Sequence, residues 1–125
     1  MSRAAKPHPL TKQQGRRIWL RAQKLDSAAP FGDGPQATSA AVEHLGYVQI
    51  DTINVIERCH HHILFTRIPS YQRAHLSQAQ SIDKTVFEYW THALSYLPTS
   101  TMRFYVGAMK RRWHERSGWF GRAAH

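Results

Sequence analysis

Apolar residues recur along this chain with two periods, and the switch between them marks out its elements. After Thr11, a residue suited to capping a helix, Ile18, Ala22 and Leu25 fall four and three apart. That spacing predicts a helix with one apolar stripe, and Arg17, Arg21 and Lys24 form a basic stripe beside it. Residues 26–35 mix Gly, Pro and small side chains and read as a loop, with Phe31 pinning it to the body. Helical spacing returns over 36–45, where Ala37, Ala41, Val42 and Leu45 supply a buried side and Gly46 stops the helix. The period then drops to two in Tyr47-Val48-Gln49-Ile50-Asp51. In a strand, successive side chains point to opposite faces, so Val48 and Ile50 share one face and Gln49 and Asp51 the other. An amide and a carboxylate would then stand side by side on a rigid element, although an edge strand with a wet face shows the same alternation.

From Asn54 to Arg67 the pattern is helical again. Val55, Cys59, His62 or Ile63, and Thr66 follow one another at helical spacing, with Asn54 as a cap and Pro69 beyond the end. Residues 73–80 predict a short helix and 81–84 a turn. Residues 85–90 and 95–97, rich in β-branched and aromatic side chains, predict a hairpin, although the turn near Thr91-His92 lacks a glycine. Phe87, Tyr89, Trp90 and Tyr96 read as packing residues of that hairpin rather than as base-stacking platforms. Pro98 and Thr99 open a last helix, with Phe104, Val106, Met109 and Trp113 as its apolar contacts. The expected fold class is α+β, mainly helical. One domain spans residues 11–116, after a basic flexible arm over 1–10 and before a tail expected to fray from Ser117.

Charge changes this picture more than composition does. Seventeen Lys and Arg stand against eight Asp and Glu, a formal charge of +9. Such an excess does not define a fold, but it favours polyanionic partners, among which nucleic acid is the commonest soluble one. Seven of the basic residues precede Asp26, the first acidic residue. Arg16, Arg17, Arg21 and Lys24 are therefore one candidate DNA-binding set, and Lys110, Arg111 and Arg112 are a second. An ordinary solvated helix face reads the same way. The apolar fraction of 42% suits a folded globule. Cys59 is the single cysteine, which excludes an intrachain disulfide and suits a reducing cytoplasm. No apolar run approaches a membrane span, and the N-terminus lacks the apolar core of a secretory signal.

His60-His61-His62 raises the question of a metal. Consecutive helical residues are spread by about 100° each, so they do not converge on one ion. Neither paired cysteines nor an HExxH pattern is present. No metal is expected, and adjacent histidines do not by themselves make Cys59 a nucleophile.

The stretch GYVQIDTINVIERCHHHILFTRIPSY resembles the signature region of the AlkZ/YcaQ-type DNA glycosylases, winged-helix enzymes that release alkylated bases and unhook interstrand crosslinks. That family carries a Gln-x-Gln or Gln-x-Asp pair, and Gln49-Ile50-Asp51 matches the second form. Arg16-Arg17-Ile18-Trp19-Leu20-Arg21-Ala22-Gln23 fits upstream, and Val86-Phe87-Glu88-Tyr89-Trp90 with Ser95-Tyr96-Leu97-Pro98 fits downstream. Where members usually carry a Glu after the His of the FEYW-x-H segment, this chain has His92-Ala93-Leu94-Ser95. Full members are longer, with tandem winged-helix units forming a concave DNA-binding surface, so the chain reads as the N-terminal portion of such a protein.

The resemblance implies a winged helix-turn-helix unit with a short strand and a β-hairpin wing, in which residues 54–67 could supply the recognition-type helix or pack on the strand. It implies Asp51 as the catalytic carboxylate and Gln49 as the residue that orients water, with no metal and no organic cofactor. The implied partner is double-stranded DNA, with no membrane, a monomeric state, missing C-terminal winged-helix domains as further partners, and a cytoplasmic, nucleoid-associated setting. Two other classes fit the residues: a non-catalytic winged-helix DNA-binding protein or regulator, and the remnant of a truncated gene.

Overall fold

The chain enters its first helix through a two-way cap. The Thr11 hydroxyl accepts from the Gln14 main-chain N–H, and the Gln14 side chain accepts from Thr11 N–H at 2.9 Å. This helix, α1 (Lys12–Ala22), is followed by α2 (Gly34–Leu45), β1 (Val48–Gln49), α3 (Cys59–Phe65), α4 (Arg73–Ser81), β2 (Val86–Trp90) and β3 (Leu94–Pro98). A 3-10 turn (Thr99–Phe104) then leads into α5 (Val106–Arg122). The computed structural model describes residues 7–122, with side chains to Glu115, so the first six residues of the expected arm lie outside the described residues.

The three strands form one antiparallel sheet in the order β1-β3-β2, with Val48 opposite Tyr96, Gln49 opposite Ser95, and the β2–β3 hairpin in register from Val86–Pro98 to Trp90–Leu94. Taken from α2, the sequence helix, strand, helix, helix, hairpin is that of a winged-helix-like unit, and the fold class is α+β. In that order α4, not the 54–67 segment, occupies the place of the second helix of the helix-turn-helix. The three-residue wing turn needs no glycine, because Thr91 N–H bonds the Ala93 carbonyl at 2.9 Å, with the Thr91 hydroxyl 3.2 Å from the same oxygen.

The core lies between α2, α3, α4 and the sheet. Ala37, Ala41 and Val42 from α2 meet Leu64 of α3, Ile68, Leu76 and Ala79 of α4, Val48 of β1 and Val86 of β2 in one buried cluster. Phe31, half-buried, packs against that cluster, as its place in the first loop predicts. Alanines on α2 and α4 leave little side-chain bulk between two helices that pack together. Gly46 ends α2 at φ 78, a left-handed conformation in which a side chain would be strained, and the chain turns straight into β1.

Four expectations are corrected. The stripe Ile18, Ala22 and Leu25 is exposed, and α1 buries no residue. It touches the body mainly through its C-terminal end, where Leu25 N–H reaches the Leu20 carbonyl at 2.9 Å and Lys24 sits at φ 54. That is a Schellman stop with lysine where glycine is usual. Asn54 caps nothing: residues 50–58 are irregular, held by an isolated bridge between Asn54 and Arg58, and α3 begins only at Cys59. Pro98 ends β3, so a 3-10 turn intervenes before the last helix. Phe104, Val106 and Trp113, expected as apolar contacts, are exposed, and α5 is seated instead by Tyr105 against the rings of Phe87 and Tyr89 at 6.0 and 5.2 Å.

Candidate active site and nucleic-acid interface

Alternation along β1 holds for its first residues: Val48 is buried and Gln49 half-buried. The ladder reaches Ile50, whose N–H donates to the Leu94 carbonyl at 2.8 Å, and stops there. Asp51 lies just past the strand, half-buried, and its Oδ1 accepts the Ile53 N–H at 2.9 Å in a local turn. The pair therefore opens into two adjoining clefts rather than one. Gln49 lines the first with Tyr47, Ile63 and Arg67, and Asp51 lines the second with Ile53, Ile56 and Glu57. Cys59, the exposed first residue of α3, belongs to both walls. A third cleft, between Glu57, His61, Tyr71 and Arg73, shares Glu57 and His62 with the second. The flank of α3 is thus the common wall of all three.

Gln49 is held from across the sheet. Its Oε1 lies 3.2 Å from Nε2 of His92 at the wing tip, and the His92 ring stands edge-on to Tyr47 at 5.2 Å. Pairing of β1 with β3 creates this contact, because Gln49 opposite Ser95 puts the hairpin turn beside the amide. Sequence reading placed His92 in the turn but had no register with which to bring it to Gln49.

The three histidines go to different environments. His60 is buried against Tyr96, with ring centroids 5.5 Å apart, and its Nδ1 has no partner. Burial, reinforced by neighbouring His61 and Arg58, pushes it down to about 4. His61 is half-buried and bonds the Tyr71 hydroxyl at 2.7 Å. Burial lowers its pKa too, and burial raises that of Tyr71. His62 is exposed. Among the described residues no three His, Cys, Asp or Glu side chains group as metal ligands.

The candidate phosphate contacts divide between the first and last helices of the chain. Arg16, Arg17 and Arg21 are exposed along α1, with Lys24 half-buried at its stop. Lys110, Arg111 and Arg112 are exposed on α5, where the Arg112 guanidinium lies 5.7 Å from the Tyr89 ring centre. Neither set lines the clefts. Arg73, at the first position of α4, does, and it is paired with Glu57. The Arg58 N–H, which donates to Glu57 Oε1, and after it the Arg73 pairing hold the Glu57 carboxyl below its ordinary range. Arg73 opens α4 and stands apart from other basic residues in the sequence, which gives no charge cluster to single it out.

No helix among the described residues is long and apolar enough to cross a membrane. A family model described as DNA glycosylase AlkZ-like matches residues 42–125, a stretch that includes Gln49, Asp51 and His92. No solved structure matches the chain significantly.

Proposed function

The chain belongs to the AlkZ-like DNA glycosylase family, and from that premise we propose that it is a DNA-binding winged-helix module for hydrolysis of the N-glycosidic bond of alkylated bases, with N7-alkylguanine and interstrand-crosslinked bases as substrates. The observation that carries this reading is the placement of Gln49 and Asp51 at adjoining cleft walls that share Cys59. Alkylation at N7 leaves the purine cationic, so the base departs without a strong general acid. Its glycosidic electron pair neutralises the ring as the C1′–N9 bond breaks. The oxygen of water forms the new bond to C1′, and its proton passes to the Asp51 carboxylate. The same carboxylate opposes the positive charge that develops on the sugar, as in glycoside hydrolysis. Gln49 orients the water. These steps use neither metal nor organic cofactor. A base tied to both strands cannot be flipped freely into a closed pocket, and clefts open along α3 suit it better. The proposed setting is the cytoplasm, at the nucleoid.

The test is single-turnover release of 7-methylguanine from a duplex, with protein in excess. One winged-helix unit covers less duplex than several in tandem, so release by these 125 residues alone is expected to be slow. Asp51→Asn keeps the shape and removes the charge, and should slow release by about 10²-fold or more. Affinity for the duplex should stay level or rise slightly, because a negative charge facing phosphates is gone. Equal rates for wild type and variant would show that Asp51 is not catalytic. Binding without release by either would favour the non-catalytic DNA-binding reading.

A further inference from the structure

We infer that His92 is a positioning residue for Gln49: it fixes the side-chain amide so that its NH2 end, not its carbonyl, is presented to whatever occupies the cleft. This rests on the reading of Gln49 as the residue that orients water. The Gln49 Oε1 can only accept, so the His92 Nε2 at 3.2 Å must carry the proton. Nδ1 is then an acceptor 3.2 Å from the Thr91 hydroxyl, whose single proton goes either to Nδ1 or to the Ala93 carbonyl, also 3.2 Å away. The Thr91 N–H at 2.9 Å and the Ser95 hydroxyl at 3.1 Å fill the two lone pairs of the Ala93 carbonyl, which leaves the Thr91 hydroxyl proton for Nδ1. In that arrangement Ser95, Thr91, His92 and Gln49 each have a partner. The Tyr47 ring, edge-on at 5.2 Å, holds the imidazole plane. Gln49 can then donate an N–H to one lone pair of a water molecule, leaving the other for C1′ and a water proton for Asp51. The wing thereby sets the orientation of a side chain on β1, 43 positions away in the chain.

Two measurements test this, and the first needs no activity. Long-range 15N–1H correlation spectra of the 125-residue chain should show His92 protonated at Nε2 and bare at Nδ1. Gln49→Ala should weaken that preference. A neutral His92 protonated at Nδ1, or an even mixture of tautomers, would overturn the assignment. The second is a double-mutant cycle on 7-methylguanine release. His92→Phe keeps a ring against Tyr47 but has no donor, and should cost about tenfold or more, as misplacement of a reacting group does. His92→Gln, whose amide nitrogen reaches nearly as far as Nε2, should recover most of the rate. In a Gln49→Ala background His92→Phe should cost nothing further. Full additivity of the two losses, or no loss for His92→Phe where Gln49→Ala slows release, would overturn the inference and leave the glycosylase reading standing. No loss for Gln49→Ala would remove the premise instead.

Discussion

Arg67 donates its Nε–H to the main-chain carbonyl of Gln23, 2.9 Å away and 44 positions earlier in the chain. It is buried, and its Nη1 also bonds the Ile63 carbonyl at 2.9 Å and Thr66 Oγ1 at 3.2 Å. Burial of the guanidinium lowers its pKa without neutralising it. A further tie on this helix end is His44 Nε2, 2.8 Å from the Ala22 carbonyl. A helix that buries no side chain is thus docked by its carbonyls.

Arg67→Met should therefore loosen α1 and the packing around α3, since it keeps the stem but abandons the carbonyls. Hydrogen bonds from a charged donor contribute about 1.5–3 kcal/mol each, so a loss of that order is expected. Hydrogen exchange should show it first in residues 12–22, with α2 and α4 still protected. Uniform loss of protection across all helices would show that Arg67 supports the core itself.

The contrast between α1 and the core gives a second prediction. Leu64 is fully buried in the central cluster, while Trp19 is 67% exposed. Leu64→Ala should cost about 2–5 kcal/mol, and Trp19→Ser less than about 0.5 kcal/mol. Urea unfolding followed by far-ultraviolet circular dichroism measures both. A large loss for Trp19→Ser would mean that the face is covered in solution.

That contrast also shows what periodicity can and cannot tell. The stripes of α1 and α2 look alike in sequence, because both repeat at the helical period. Which one is buried depends on what the rest of the chain brings against it, and only α2 meets α4 and the sheet. Residues 50–58 failed for a related reason. Val55 fits a helical series ending in Thr66, yet it is 89% exposed, because the Asp51 carboxylate has already captured the Ile53 N–H in a turn. The hairpin, the Gly46 stop and the 73–80 helix were legible because local signals set them. Gln49 and Asp51 could be singled out from sequence, but the contact of Gln49 with His92 depends on strand register, which residue patterns leave open.

His60 predicts a pH dependence of stability. Its pKa falls from 6.5 to about 4, chiefly because burial disfavours the charged ring. Between these values the unfolded chain binds a proton that the native ring refuses. Stability should therefore fall as pH drops from about 6.5 to about 4, with no further loss from this group below that. His61 shifts in the same direction, its burial partly offset by Glu57. His60→Leu removes the titrating ring and its partnerless Nδ1, and should flatten the slope of unfolding free energy against pH over that window. An unchanged slope would place the proton uptake elsewhere.

The two basic sets predict how the chain holds a duplex. Each phosphate neutralised releases counterions, so log affinity should fall linearly with log salt, and each lost contact should reduce the slope by about 0.9. Arg17→Ala with Arg21→Ala tests α1, and Lys110→Ala with Arg111→Ala tests α5, by fluorescence anisotropy across a salt series. Lys24 separates charge from fold. It occupies a left-handed position that costs a non-glycine residue about 1 kcal/mol or more. Lys24→Gly should therefore raise stability by about that much while making the salt slope shallower. Greater stability with an unchanged slope would remove Lys24 from the interface and leave Arg16, Arg17 and Arg21 as the α1 contacts. Affinity that ignores salt in every variant would rule out the electrostatic account of both sets.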